Sequence, residues 1–361
     1  MDVVARAVLA VVGAGIVFGV LGSAIRTVVV PRADPALLTK WVFEVSRWVF
    51  QRRARRAGDW ERSDLVMARY APTSLLLLPV VWVALVLIGF APIYWAMGAP
   101  LWDDAFVISG SSLLTLGFAF RSDLDVIVLQ FAEATIGLGL VALLISFLPS
   151  MYSQFSRREV LVAQLETRAG SPPTPAELLR RAHVIDWLPA LDDLWNEWEQ
   201  WFVEIEEAHT TFTALNFFRS PHHERSWITA AGCVLDTAAI RASTLDLPRS
   251  FHAELCMRSG FLALRRIADQ FEIPYDPDPA PDDPISISRD EFLQVYRQLA
   301  DVGVPVRSDT DRAWQSFAGW RVNYDTVLLA LCGLTVAPYA PWSSDRSPAR
   351  VRPPLRPRWR R

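Results

Sequence analysis

The chain is poor in the residues that usually announce chemistry. Its 361 residues include only three cysteines, Cys233, Cys256 and Cys332, too widely spaced for a CxxC metal or redox pair, which speaks against a disulfide framework. Glycine-rich phosphate loops, GxSxG turns and zinc signatures are missing, and with them the common nucleotide-binding and hydrolase motifs. No paired catalytic groups can be placed, so the chain is not expected to be an enzyme, and no cofactor is expected. A net charge of −3 and a pI near 6.0 give no support for nucleic-acid binding. No long stretch alternates apolar with polar residues, which leaves a mostly α-helical chain.

Charge is scarce above all where apolar residues run longest. Residues 7–30 are interrupted only by Arg26, residues 74–97 carry no charge, and residues 126–152 carry only Glu133. Each run meets the roughly 20 residues a helix needs to cross a bilayer. The first does not read as a signal peptide, because only Arg6 beside Asp2 precedes it and the basic cluster follows it. Between Arg26 and Arg69 basic residues outnumber acidic ones, and Arg157 and Arg158 follow the third run. The positive-inside rule then predicts a multi-pass cell-membrane protein with its N-terminus outside and its C-terminal half cytoplasmic. Residues 40–56, with Trp41, Val45, Trp48 and Val49 near one face and Arg47, Arg52, Arg53, Arg55 and Arg56 largely off it, read either as an amphipathic helix on the anionic lipids of the inner leaflet or as a solvated helix.

The segment between the second and third runs, GAPLWDDAFVISGSSLLTLGFAFRSDLD (98–125), is too short for another pair of crossings and must return to the side it left. Asp103 and Asp104 suit the first turn of a short helix reaching Leu114. Thr115, Leu116, Gly117, Phe118 and Ala119 follow. Apolar helix, short helix, Thr-Leu-Gly-Phe, then a second apolar helix with Gly137 and Gly139 near its middle resembles the pore module of the potassium-channel pore-domain family, of the prokaryotic two-helix, pore-loop kind. The resemblance covers residues 74–160. It implies that residues 115–119 form a selectivity filter whose backbone carbonyls replace a cation's hydration water, and that four copies supply one loop each. A potassium ion is then the implied permeant ion. Ala119 stands where the family has its second glycine, and Phe120, Arg121 and Ser122 precede Asp123 where the family has Asp directly after the filter. Gly137 and Gly139 suit close helix packing or a hinge. Glu133, an ionisable group inside a span, is expected to bond to the short-helix region rather than to the ion.

From Arg157 onward the composition looks soluble. Thr174, Pro175 and Glu177 form a helix-start signal, and Leu191, Leu194, Trp195, Trp198, Trp201, Phe202 and Ile205 recur at helical spacing. Further helices are expected over 225–243, 250–272, 289–302 and 309–334, forming a bundle. Glu206 and His209 have the Glu-x-x-His spacing of di-iron helices, but no second copy of that motif exists, and His222, His223 and Glu224 read as a solvated loop. The expected division is 1–73, first membrane helix and basic segment; 74–158, pore module; 159–340, cytoplasmic α-helical domain; and 341–361, a disordered Arg/Pro-rich tail drawn to the inner leaflet, with nucleic-acid binding by the tail as the competing idea and a simply solvated tail as the plainest one. The function expected is a cation channel subunit working as a homotetramer in the bilayer, with no nucleic-acid partner. The alternative is a non-conducting membrane scaffold or sensor whose helical domain binds a partner.

Overall fold

The fold is known from a computed structural model, which describes residues 3–30, 36–57 and 60–348. The chain is mostly helical, and among the described residues no strand forms beyond one isolated bridge between Leu245 and Val306. It divides into two compact units, Met1–Ser153 and Gln154–Arg361.

The first unit contains α1 (Val3–Val28), α2 (Leu37–Ala54), α3 (Trp60–Ala68), α4 (Tyr70–Ala96), α5 (Trp102–Leu113) and the start of α6 (Leu124–Ala169). Three helices are long and apolar enough to cross a membrane: α1, α4 with the short helix before it, and α6. Pro79 and Pro92 lie inside α4 without ending it. Helices α1 and α4 approach closely through glycines. A Cβ at Gly13 would overlap the carbonyl oxygen of Gly89, and one at Gly89 would come within 2.8 Å of Val17 Cγ2. Lipid offers no hydrophobic drive between helices, so such small-residue contacts hold spans together through dispersion. Helix α5 begins with Asp103 and Asp104 in its first turn, and the Asp104 carboxylate accepts from the Leu101 N–H at 3.2 Å. It packs on α4.

The second unit contains the end of α6 and α7 (Pro175–Val184), α8 (Leu191–Thr211), α9 (Trp227–Ser243), α10 (Phe251–Asp269), α11 (Arg289–Asp301), α12 (Thr310–Arg321) and α13 (Asp325–Thr335). Thr174 caps α7 by accepting from the Glu177 N–H at 3.3 Å. On α8 the tryptophans 195, 198 and 201 and Phe202 are all fully buried, packed against α10. Helix α9 is buried on every side and touches α7, α10, α12 and α13, its Asp236 among the buried residues.

Two expectations change here. The single helix expected over 309–334 is broken between Arg321 and Asp325. Asn323 donates to the carbonyls of Gly319 (3.1 Å) and Trp320 (3.3 Å), satisfying the end of α12, and Asp325 opens α13. The tail expected from 341 is packed at its start. Trp342 is buried, its carbonyl accepts from Arg321 Nη2 at 2.7 Å, and Arg346 pairs with Glu291 at 2.7 Å. The remainder of the Arg/Pro-rich tail, 349–361, lies outside the described residues.

Candidate functional site

Thr115, Leu116, Gly117, Phe118 and Ala119 follow the C-terminal end of α5, and one serine organises them. The Thr115 N–H donates to the Ser112 carbonyl at 3.0 Å and the Leu116 N–H to the Ser111 carbonyl at 2.8 Å, which Gly117 also reaches at 3.4 Å. The Ala119 N–H donates to Ser111 Oγ at 3.0 Å. Thr115 (φ 55°) and Gly117 (φ 72°) are left-handed, while Leu116 between them is not. Such alternation turns successive N–H groups to one side of the chain and leaves the carbonyls on the other. Among the described residues, nothing donates to the backbone carbonyls of 115–119. For Gly117 the left-handed conformation costs little. For Thr115 it costs roughly 1–2 kcal/mol, partly offset by its hydroxyl donating to the Leu114 carbonyl at 2.8 Å.

The loop's side chains are uncovered in one chain: Leu116, Phe118 and Phe120 are 60%, 69% and 71% exposed. Together they form an exposed apolar stretch next to the loop backbone. The same holds along α6, where Leu124, Val128, Phe131, Leu138 and Ile145 are exposed.

Behind the loop, Glu133 of α6 is fully buried. Its Oε2 accepts from the Tyr94 hydroxyl of α4 at 2.8 Å and its Oε1 from the Ser109 hydroxyl of α5 at 2.6 Å. One carboxyl thus joins three helices. One turn further, a Cβ at Gly137 would overlap the Leu113 carbonyl oxygen at the end of α5, while Gly139 faces open space. Arg121, beyond the loop, donates to the Met97 carbonyl at 3.1 Å and pairs with Asp123 at 2.7 Å, so its charge is compensated locally.

The second unit holds the Glu-x-x-His residues. Glu206 pairs outward with Arg266 at 2.6 Å, while His209 is buried with Nδ1 3.0 Å from Asn216 Oδ1 and Nε2 3.4 Å from Arg158 Nη1. The Glu-x-x-His pair therefore does not converge. His222 and His223 are exposed, and no group of His, Cys, Asp or Glu among the described residues is arranged to hold a metal ion. Burial, and then the Arg158 charge, hold the His209 pKa well below its ordinary value. Arg321, fully buried, donates to both oxygens of Asp236 (2.6 and 2.7 Å) and to Asp325 (2.7 Å), while Tyr324 donates to Asp236 at 2.8 Å.

Sequence reading singled out Glu133 but not its partners Tyr94 and Ser109, nor Ser111. The available signal was the Ser109-Gly110-Ser111-Ser112 run, small polar residues clustered at the end of the short helix α5. No family model matches this chain, and no curated protein or solved structure matches it either.

Proposed function

We propose that this chain is a cation channel subunit, four copies of which each contribute the loop 115–119 to one narrow path across the membrane. The observation that carries the reading is the division of the loop's backbone. The N–H groups of Thr115, Leu116, Gly117 and Ala119 are drawn to Ser111 and Ser112, while among the described residues nothing donates to the carbonyls of 115–118. Carbonyl oxygens left free at membrane depth need a partner, and a dehydrated cation is one. The C-terminal end of α5 adds partial negative charge beside them. In this reading α5 and the loop re-enter from the outer side between the spans α4 and α6, the N-terminus is outside, and the C-terminal unit is cytoplasmic. The exposed apolar faces of α6 and the loop meet neighbouring copies and lipid.

Potassium is the permeant ion this backbone suits best, with one departure. Ala119 has no left-handed φ, so the alternation stops at Gly117 and the outermost carbonyl does not share it. Discrimination against sodium is accordingly weaker than four full carbonyl rings would give.

The test is potassium efflux from liposomes holding the purified full chain, compared with Gly117→Val, whose branched side chain opposes the left-handed conformation. Efflux from the native protein and its loss in the variant support the proposal. A correctly inserted native protein that passes no cation at any pH or voltage overturns it and leaves the non-conducting scaffold.

A further inference from the structure

Helix α2 has three separate faces. Thr39, Val42 and Ser46 are buried, with Thr39 Oγ1 lying 2.7 Å from Thr27 Oγ1 and 3.3 Å from Ser23 Oγ of α1. On the same side Tyr70, at the start of α4, donates to the Phe43 carbonyl at 3.2 Å and lies edge-on to the Phe43 ring. These contacts hold α2 at the end of the spans where α1 finishes and α4 begins. Lys40, Glu44, Arg47 and Gln51 form a polar second face. The third face is Leu37, Trp41, Val45 and Trp48, all exposed, at 78%, 61%, 42% and 62%. These positions, spaced four, four and three residues apart, form one stripe.

The arginines complete the pattern. Arg52, Arg53, Arg55 and Arg56 are all exposed and form no ion pair with a described residue, and the Arg52 guanidinium stacks over the Trp48 ring at 5.6 Å from its centroid. Tryptophan prefers the headgroup level of a bilayer, and unpaired arginines there meet lipid phosphate.

We propose that α2 is an interfacial helix that sinks the Leu37, Trp41, Val45 and Trp48 stripe into the membrane leaflet at that end of α1 and α4, with Arg52, Arg53, Arg55 and Arg56 binding anionic lipid headgroups. Charge complementarity and attachment at the ends of two spans select a lipid surface over another protein. The inference does not need the loop 115–119 to conduct; it rests only on α1 and α4 crossing the membrane.

The test places a nitroxide spin label at Trp41→Cys, Trp48→Cys or Gln51→Cys in the full chain, reconstituted in phosphatidylcholine vesicles with and without phosphatidylglycerol. The native cysteines are buried and do not compete for the label. Relaxation by oxygen reports lipid, and relaxation by a water-soluble nickel chelate reports solvent. The expected result is oxygen-dominated relaxation at 41 and 48 and nickel-dominated relaxation at 51. With phosphatidylglycerol present the 41 and 48 labels sit deeper, and Arg52→Gln or Arg53→Gln lowers that anionic-lipid preference roughly fivefold per residue. A label at Val80→Cys, exposed on α4, reports the spans independently. Oxygen at 80 with nickel at 41 and 48 overturns the inference while the membrane reading stands. Shielding of 41 and 48 from both reagents also overturns it, because protein then covers the stripe. Nickel at 80 overturns both.

Discussion

Tyr94 and Glu133, thirty-nine residues apart, meet in a 2.8 Å hydrogen bond buried among α4, α5 and α6. With the Ser109 hydroxyl on the other carboxylate oxygen, it sets the position of α5 and therefore of the loop that α5 carries. Tyr94→Phe leaves Glu133 Oε2 without a protein donor, which costs roughly 1–3 kcal/mol for a buried polar group. A lowered thermal midpoint in detergent, with smaller loss of helicity than of cation flux, is the expected outcome. An unchanged midpoint would show that the bond does not hold the three helices.

Gly137 and Gly139 separate packing from mere glycine content. Gly137→Ala drives a methyl into the Leu113 carbonyl, whereas Gly139→Ala meets open space. Gly137→Ala is expected to cost about 1–3 kcal/mol through overpacking and to abolish efflux. Gly139→Ala is expected to leave both near native, within about 0.5 kcal/mol. Equal effects at the two positions would instead point to a hinge shared by both glycines.

Much of this was legible in the sequence because its cause is local. Long apolar runs with at most one charge each are sufficient for the three long helices, and Asp103, Asp104 and Thr174 mark helix starts through the exposed N–H groups of a first turn. The break between α12 and α13 was not, because the apolar pattern continues through it. What stops the helix is Asn323 turning back onto Gly319 and Trp320, and what starts the next includes Asp325 bonding Ser286 (2.7 and 2.8 Å), far away in sequence. The role of Ser111 was hidden similarly. A serine in a short helix is ordinary until Thr115 takes a left-handed φ and bends the following N–H groups back onto it.

In the second unit, Arg321 is fully buried between Asp236 and Asp325. Arg321→Met strands two carboxylates and is expected to cost about 3–5 kcal/mol. Adding Asp236→Leu should recover part of that loss, because the uncompensated charge is removed with its partner. Denaturant unfolding of the full chain, followed by tryptophan fluorescence, measures both; additive losses would contradict the coupling.

His209 supplies a pH dependence with a definite sign. Its pKa is lowered in the fold, first by burial and then by Arg158, so the unfolded chain binds its proton more readily. The stability it contributes is complete above the unfolded pKa of about 6.5 and falls as pH drops below it towards the folded value. The thermal midpoint of the native protein should therefore decline on acidification, and His209→Gln should remove that component. A midpoint that declines identically in the variant would assign the effect to other groups.

The central claim is that free carbonyls from several copies of residues 115–118 share one axis around a cation. A structure of the full chain in a lipid bilayer, determined in potassium and again in thallium, tests it most directly. The expected result is a fourfold assembly with ions on the axis, ringed by the carbonyls of Thr115, Leu116, Gly117 and Phe118. A dimer, or a tetramer whose loops stand apart with no ion between them, would contradict it.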